Sequence, residues 1–419
     1  MTAARKPLRV LMPEGSSTSG REAVTILGLA GHHVEVCDPS RWCLSRYSRF
    51  ARKFHHCPPL RTDPAGFLRF IERLLASQHF DVLLPTHEQG FLFARAGQLR
   101  QPRAGLALPD FTAYRAVHGK AGFSRLLDQL GLPQPTTRIV TSADELRDAM
   151  RFPSVVKTSI GTASRGIWFV RDASDLNLAL YELDSAGDFT GEVLVQDLIT
   201  GTVEKAQSVF CCGALVGFHA YRQVAAGVGG GEAIKESVSR PAIRAALETI
   251  GAHLNWHGAL SVDVMMPLDS TTPLLIDCNP RLVEPMNAYA AGADLVDLLL
   301  RVSLGETPQP LAESRAGVRT HLAMQALLGS ASRDGTRRDL IRECGRIAAG
   351  DGPYRDSTEE LTPVRRDWPG AVPLAMTAAL LLASPGIATS LARGGFGTHL
   401  LDRASIAAIE SEDFLREVP

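Results

Sequence analysis

Short apolar runs alternate with amphipathic stretches over about the first 110 residues of the chain. Residues 8–12, 33–37 and 81–84 have the apolar composition of buried strands. Residues 21–30 and 67–77, which lie between them, carry apolar side chains at helical spacing. Because strands that alternate with helices form parallel sheets covered by helices, this pattern predicts an N-terminal α/β domain.

The middle of the chain carries strand signals in closer succession. Helices are predicted at residues 120–130 and 142–150, and a Gly/Ser/Thr-rich turn at 158–166 is typical of a hairpin tip. Apolar runs predict strands at 154–157, 167–170, 193–196, 206–211, 214–221, 258–265 and 274–278, and a helix at 243–254. After about residue 310, an Arg-, Ala- and Leu-rich tail is expected to be mainly helical.

Composition and charge argue against some classes of function and indicate the compartment of the protein. The 419-residue chain has a net charge of -1, so no global attraction to nucleic acid or an anionic membrane is expected. Its seven cysteines include no CxxC pair, which indicates a reducing compartment, and a cytoplasmic location is expected. The N-terminus passes into a strand without an apolar stretch of signal-peptide type.

One strongly apolar segment covers residues 371–392. Pro373, Pro385 and Gly386 interrupt it, so its unbroken part is shorter than the ~20 residues that a membrane span needs. We therefore expect no transmembrane segment. Four roles stay open for this helix: it packs on the preceding domain, forms a homodimer interface, closes the acceptor site, or contacts a membrane surface.

A set of oxygen-bearing side chains lies on two predicted strands. Asp263 lies in one strand, and Asp277 and Asn279 lie in the next. Residues two apart on a strand point to the same face, so these side chains are expected to converge. Carboxylate and amide oxygens suit magnesium. Arg281, just beyond, can bind a phosphate with its planar guanidinium group.

Basic residues precede this acidic set. Lys157 ends an apolar strand and faces the Gly/Ser/Thr-rich turn, where backbone N–H groups and a lysine can together bind phosphate. Lys120 is a weaker signal of the same kind. Glu88 follows the strand predicted at 81–84, and because open α/β sheets bind ligands at the carboxyl ends of their strands, it is a candidate substrate residue.

Together these residues resemble the ATP-grasp superfamily, and its carboxylate–amine ligase and carbamoyl-phosphate-synthetase-like branch in particular. The strongest match is Asp263 followed by the run Asp277-Cys278-Asn279-Pro280-Arg281. The resemblance implies a pre-ATP-grasp domain at residues 1–110 and an ATP-grasp domain at 111–310. Within the latter, the small lobe is expected at about 140–200 and the large lobe at about 201–310. Residues 311–419 are then a C-terminal extension.

The resemblance also implies roles for individual residues. Lys120 and Lys157 look like the two ATP lysines, and Arg222 and Arg281 like basic residues near the transferred phosphoryl group. The remaining implied contacts are Gly161, Thr162 and Ser164 in the phosphate loop, Gln196, Asp197, Leu198 and Ile199 at the adenine, Glu204 at the ribose, Asp263, Asp277 and Asn279 at the metal, and Gly230, Glu284 and Asn287 at the substrate.

The activity implied is that of an ATP-dependent ligase that uses Mg²⁺ or Mn²⁺. A substrate carboxylate would attack the γ-phosphorus, and an amine would then displace phosphate from the acyl phosphate. Three alternatives stay open: a carboxylase-like enzyme that activates bicarbonate, a kinase that stops at phosphoryl transfer, and a non-catalytic nucleotide-binding module. The expected partners are small-molecule carboxylates and amines.

Overall fold

A computed structural model describes residues 6–97, 103–161, 166–333, 335–361, 366–394 and 399–417. The N-terminal part is a four-stranded, fully parallel sheet in the order β3-β2-β1-β4. Its strands are β1 (Arg9–Met12), β2 (His33–Asp38), β3 (Ala51–His56) and β4 (Val82–Leu83), and its helices are α1 (Thr18–Leu29), α2 (Pro64–Ser77) and α3 (Gln89–Gly97). The predicted parallel α/β arrangement is confirmed, with β3 as a strand that the sequence pattern did not indicate.

Two helices lead into the small lobe, a four-stranded antiparallel sheet in the order β5-β8-β6-β7. The helices are α4 (Phe111–His118) and α5 (Lys120–Leu130). The sheet comprises β5 (Thr137–Val140), β6 (Ser154–Thr158), β7 (Ile167–Val170) and β8 (Val193–Asp197), packed by α6 (Ala143–Ala149) and α7 (Ala173–Ser185). Side chains such as Val156, Leu183 and Val195 give this lobe its own apolar core.

The large lobe is built on a seven-stranded sheet in the order β13-β12-β9-β10-β11-β14-β15. Its strands are β9 (Gly201–Cys211), β10 (Ala214–Ala226), β11 (Glu232–Val238), β12 (Gly258–Pro267), β13 (Leu274–Asn279), β14 (Arg319–His321) and β15 (Ser357–Glu359). Helices α8 (Pro241–His253), α9 (Met286–Ala290) and α10 (Leu295–Ser303) belong to the same lobe. All neighbouring strands are antiparallel except β14 and β15.

The C-terminal extension is mainly helical, as expected, but it also supplies β14 and β15 to the large-lobe sheet. Its helices are α11 (Ala323–Ser332), α12 (Arg337–Ala349), α13 (Ala371–Ala383), α14 (Ala388–Gly394), α15 (Arg403–Glu410) and α16 (Glu412–Glu417). Among the described residues, no helix is both long enough and apolar enough to cross a membrane. The apolar segment predicted at 371–392 is divided between α13 and α14.

Candidate active site

Two aspartates face each other across the last two strands of the large-lobe sheet. Asp263 on β12 and Asp277 on β13 are direct cross-strand partners, and Asn279 pairs with Ser261 in the same register. Directly opposed residues of antiparallel strands project to the same face. Cys278 points the other way and is buried in the core. The three oxygen donors predicted from the sequence therefore share one face, which we call the metal-binding face after that prediction.

The electrostatics of this face suit a divalent cation. Burial, followed by the charge of neighbouring Asp277, raises the pKa of Asp263 to about 6, although Lys205 acts in the opposite direction. Two carboxylates in contact disfavour each other's charge, and a cation between them relieves that cost. The donor set of two carboxylates and an amide oxygen matches the hard oxygen ligands of magnesium, so these residues fit the metal.

Two lysines approach the carboxylates from the small-lobe side. Lys120 Nζ lies 3.3 Å from Asp277 Oδ2 and donates to the Gly161 carbonyl at 2.6 Å. Lys157 Nζ donates to the carbonyl of Ile276 at 3.4 Å. Burial lowers the pKa of Lys157 to about 8, although Asp277 favours its charge. Both predicted ATP lysines thus lie beside the acidic strands.

Arg281 lies two residues after Asn279, at the end of the metal-binding face. Its Nη1 donates to Asn279 Oδ1 at 2.6 Å, and its carbonyl accepts from Ser261. Its Nε is buried and has no hydrogen-bond acceptor among the residues that the structure describes. A buried donor without a partner is costly, and an anionic ligand that reached it would remove that cost.

Lys205 is a site residue that the sequence analysis missed. On β9 it is the cross-strand partner of Asp263, and its Nζ lies 2.7 Å from a Glu232 carboxylate oxygen. Burial opposes its charge, but the carboxylates of Asp263 and Glu232 hold its pKa well above the ordinary value. Its position two strands from Asp277 follows from pairing register, which the spacing along the sequence does not reveal.

The predictions for Glu204 and Arg222 are wrong in orientation. Glu204 precedes Lys205 on the same strand, so its side chain projects to the opposite face, where Arg240 binds it at 2.5 and 2.6 Å. Arg222 is the cross-strand partner of Glu204 and shares that opposite face. It is 47% exposed and pairs with Glu236 at 2.5 Å. Neither side chain lies near the metal-binding face.

The hinge predicted to bind adenine ends β8 and connects it to β9. Gln196 is buried, and its Nε2 donates to Thr137 Oγ1 at 2.9 Å. The backbone N–H groups of Asp197 and Leu198 donate to the carbonyls of Thr136 and Pro153 at 3.1 and 3.2 Å. These bonds fix the hinge backbone between the two lobes, and Ile199 follows them. Thr162 and Ser164, predicted in the phosphate loop, lie outside the described residues.

A cavity of about 990 Å³ connects the metal-binding face with the N-terminal domain and the extension. Three of the four candidate substrate residues, Glu88, Gly230 and Glu284, line it together with Lys120 and Gly161. The lining also includes Ser16–Ser19, Lys205, Asp263, Asp277–Arg281 and the glycine loop Gly229–Gly231. The volume is at the upper end of the ~300–1,000 Å³ typical of ligand pockets.

Asn287, the fourth candidate substrate residue, is not part of the cavity lining. It is fully buried; His219 Nε2 lies 2.8 Å from its Oδ1, and its Nδ2 donates to Thr320 Oγ1 at 2.7 Å. Its amide is therefore used within the protein, and the prediction of a direct substrate contact is wrong. Its position on α9 links β10 to β14 instead.

A buried ionic cluster adjoins the cavity at Glu284. Lys235 on β11 donates to carboxylate oxygens of both Glu284 and Glu360, the latter at 2.8 Å. Thr18 donates to Glu284 at 2.8 Å. Glu22 on α1 is the third carboxylate, and burial together with Glu360 raises its pKa well above the ordinary value. The cluster therefore joins the N-terminal domain, the large lobe and the extension.

The amino-acid sequence is similar to parts of larger known proteins. No protein-family model matches the chain. Over 202 residues it is 26% identical to the carbamoyl phosphate synthase large chain of Deinococcus radiodurans, a match that covers 45% of this chain and 20% of that protein. The chain spans a fifth or less of the length of the curated relatives that it matches.

Solved structures match over most of the chain. An ADP complex of N5-carboxyaminoimidazole ribonucleotide synthetase has a TM-score of 0.60 at 14% identity, covering 83% of this chain and 88% of that one. The L-amino acid ligase of Bacillus licheniformis has a TM-score of 0.58 at 16% identity, covering 76% and 81%. The biotin carboxylase domain of Hydrogenobacter thermophilus 2-oxoglutarate carboxylase, solved with MgADP, has a TM-score of 0.59 at 15% identity, covering 75% and 74%.

These structural likenesses establish the fold, and the sequence match to a carbamoyl phosphate synthase large chain agrees with it. On this fold, Lys157 of the small lobe and Lys120 of α5 lie beside the facing carboxylates of the large lobe. The chain therefore has the ATP-grasp fold.

Proposed function

We propose that the protein is an ATP-dependent ligase that joins a carboxylate to an amine through an acyl phosphate, releasing ADP and phosphate. One observation carries this proposal. A single cavity contains the facing Asp263 and Asp277 carboxylates at one end and extends to the N-terminal domain and the extension at the other. Such a cavity can hold a metal–nucleotide complex and a second ligand together.

The proposed chemistry demands positioning and charge stabilisation. Asp263, Asp277 and Asn279 would hold magnesium or manganese, which supplies positive charge to the β- and γ-phosphates. Lys157 and Lys205 lie beside these carboxylates, and Arg281 donates from its Nη1 to the side chain of Asn279. These cations would stabilise the charge that develops on the transferred phosphoryl group.

The nucleotide would extend from this face toward the hinge between the lobes. Lys120 and Gly161, already joined by a hydrogen bond, would contact phosphate oxygens, as would Thr162 and Ser164. The hinge segment 196–199 would border the adenine. Because the N–H groups of Asp197 and Leu198 are used within the protein, other groups of the segment would contact the base.

A bicarbonate-activating enzyme is the second candidate. It is favoured by one observation, the likeness to solved structures whose names describe a biotin carboxylase domain and a carboxyaminoimidazole ribonucleotide synthetase. In that case ADP formation would depend on bicarbonate. A ligase instead requires a carboxylic acid and an amine together, a kinase needs no amine, and a non-catalytic module forms no ADP.

The decisive experiment is a coupled screen for ADP and phosphate release over amino acids, dipeptides and hydroxy acids, given singly and in pairs, with and without bicarbonate. We also propose a cytoplasmic location, because all seven cysteines are free thiols. A homodimer stays a prediction that an oligomeric-state measurement would test. Release that requires both an acid and an amine supports the ligase.

Asp277→Ala tests the site within the same assay. This variant is expected to abolish ATP turnover and to leave the fold intact, since Asp277 lies on the cavity face of an edge strand. Asp269→Ala, in the exposed turn between β12 and β13, is the matched control and should keep full activity. Retained turnover in Asp277→Ala would refute the metal assignment.

A further inference from the structure

The C-terminal extension forms one wall of the cavity. Met324 and Leu328 on α11, Leu391 and Ala392 on α14, and the segment residues Leu361 and Leu400 contribute its apolar surface. Gln325, Ser332, Thr377 and Thr389 complete it. Among the described residues of the extension, none that lines the cavity carries a charge. This uncharged surface is called the extension wall below.

The rest of the cavity differs sharply in character. Its charged lining residues, including Lys120, Lys205, Asp263, Asp277 and Arg281, all precede the extension in the chain. Phosphate and metal need those charges, whereas a neutral apolar surface would leave a charged group without a partner. The ligand group that meets the extension wall should therefore be uncharged and apolar.

The extension wall is held in place by contacts to the glycine loop. The Gln325 side-chain oxygen accepts from the backbone N–H of Val228 at 3.0 Å. A Cβ atom built on Gly227 or Gly231 would lie 2.6 or 2.7 Å from the Gln325 amide, so the backbone at these glycines packs directly against this side chain. The wall is thus preformed, as ligand pockets usually are.

A second set of bonds ties the extension to the N-terminal domain. Arg21 Nη2 on α1 lies 2.6 Å from the Asp367 carboxylate, and both side chains are buried. Asp367 also accepts from Ser48 at 2.6 Å and from the Arg49 N–H at 2.8 Å. These bonds fix the start of α13 against the N-terminal domain, so the wall has a defined position relative to the metal-binding face.

We infer that the extension wall binds the apolar portion of one of the two organic substrates, and so selects a carboxylic acid or an amine that carries an aliphatic or aromatic group. Describing that ligand as a substrate rests on the proposed ligase function. The binding of apolar groups at the wall can be tested separately from turnover.

The test is calorimetric binding of two graded series, n-alkanoates and n-alkylamines of roughly three to eight carbons, to the full-length protein. Each methylene buried against the wall is expected to raise affinity about fourfold. Dependence on chain length in the alkanoate series assigns the apolar group to the acid, and dependence in the alkylamine series assigns it to the amine. Affinities independent of chain length in both series would overturn the inference.

Two methionines of the extension provide a matched pair of variants. Met324 is half-buried in the wall, whereas Met376 on α13 is 49% exposed and outside the cavity. Met324→Ala is expected to weaken binding of the longest chain at least about fivefold, the loss of roughly one buried methylene or more. Met376→Ala should bind as the unaltered protein does. Equal effects of the two substitutions would count against the wall.

The two proposals fail in different ways. Chain-length-dependent binding with no ADP release for any acid–amine pair would refute the ligase and leave the wall standing. ADP release that is highest for charged substrates, with no chain-length dependence of binding, would refute the wall and leave the ligase standing. A preference for apolar substrates that Met324→Ala reduces and Met376→Ala does not would support both.

Discussion

The ionised side chain of Asp263 should destabilise the folded protein when no metal ion is bound beside it. Burial and the neighbouring Asp277 raise its pKa from 3.8 to about 6. A difference of this size between the folded and unfolded states corresponds to about 3 kcal/mol at a pH above both values. Asp263→Asn removes the charge and nearly preserves the shape, so the metal-free variant is expected to be more stable than the wild type.

The pH dependence of the free energy of unfolding tests whether Asp263→Asn stabilises the protein for this reason. Folding raises this pKa, so below pH 3.8 Asp263 is protonated in both the folded and the unfolded protein. As the pH rises through about 6, the folded protein also loses this proton and the stability that it provides is lost. Asp263→Asn should therefore raise the free energy of unfolding by up to about 3 kcal/mol near pH 8 and by little near pH 3.5. Lys205 keeps a carboxylate partner in the variant, since Glu232 lies 2.7 Å away.

The assay is urea unfolding followed by circular dichroism at both pH values, in EDTA and in excess magnesium chloride. Magnesium should stabilise the wild type, because a ligand that binds only the folded state shifts the equilibrium, and should stabilise the variant much less. Asp269→Asn, in an exposed turn, is the control and should behave as the wild type. The reasoning fails if Asp263→Asn is less stable than the wild type near pH 8 in EDTA.

The remaining predictions concern three lysines. Lys235→Met should lower the free energy of unfolding by about 3–5 kcal/mol, because it leaves the carboxylates of the buried cluster without their cation; a loss below about 1 kcal/mol in urea unfolding would contradict the cluster's role. Lys205→Ala should lower kcat at least about 100-fold, whereas Arg222→Ala, on the opposite face, should stay within about twofold; equal losses in steady-state assays would contradict the assigned faces. Since burial lowers the pKa of Lys157 to about 8, kcat/KM for ATP should fall at higher pH as the lysine loses its proton, and Lys157→Arg should remove that decline from the pH profile.

Much of the fold could be predicted because local patterns determine it. The helix predicted at residues 120–130 is α5, Lys120–Leu130, which a left-handed glycine, Gly131, ends. The strands that carry Asp263 and Asp277 were also predicted, and their pairing brings the acidic set together. The periodicity of apolar residues and the positions of turn glycines are sufficient to predict these helices and strands.

Features that depend on long-range pairing could not be predicted. Strand β11 escaped notice because its charged Lys235 and Glu236 resemble a surface loop, although distant carboxylates compensate the buried lysine. The faces of Glu204 and Arg222 follow from strand register, and a shift by one residue reverses a side chain's direction. Residues 319–321 form a strand because β11 offers them an edge, and residues 357–359 pair in turn with that added strand.

The two short strands that the extension adds to the sheet limit how the chain can be shortened. A fragment that ends near residue 310 would expose the edge of β11, whose backbone groups now bond to β14. It would also lose Glu360, one of the two carboxylates that bind Lys235. Unprotected edges invite pairing between molecules, so such a fragment should aggregate, and a stable shortened chain would have to keep these two strands.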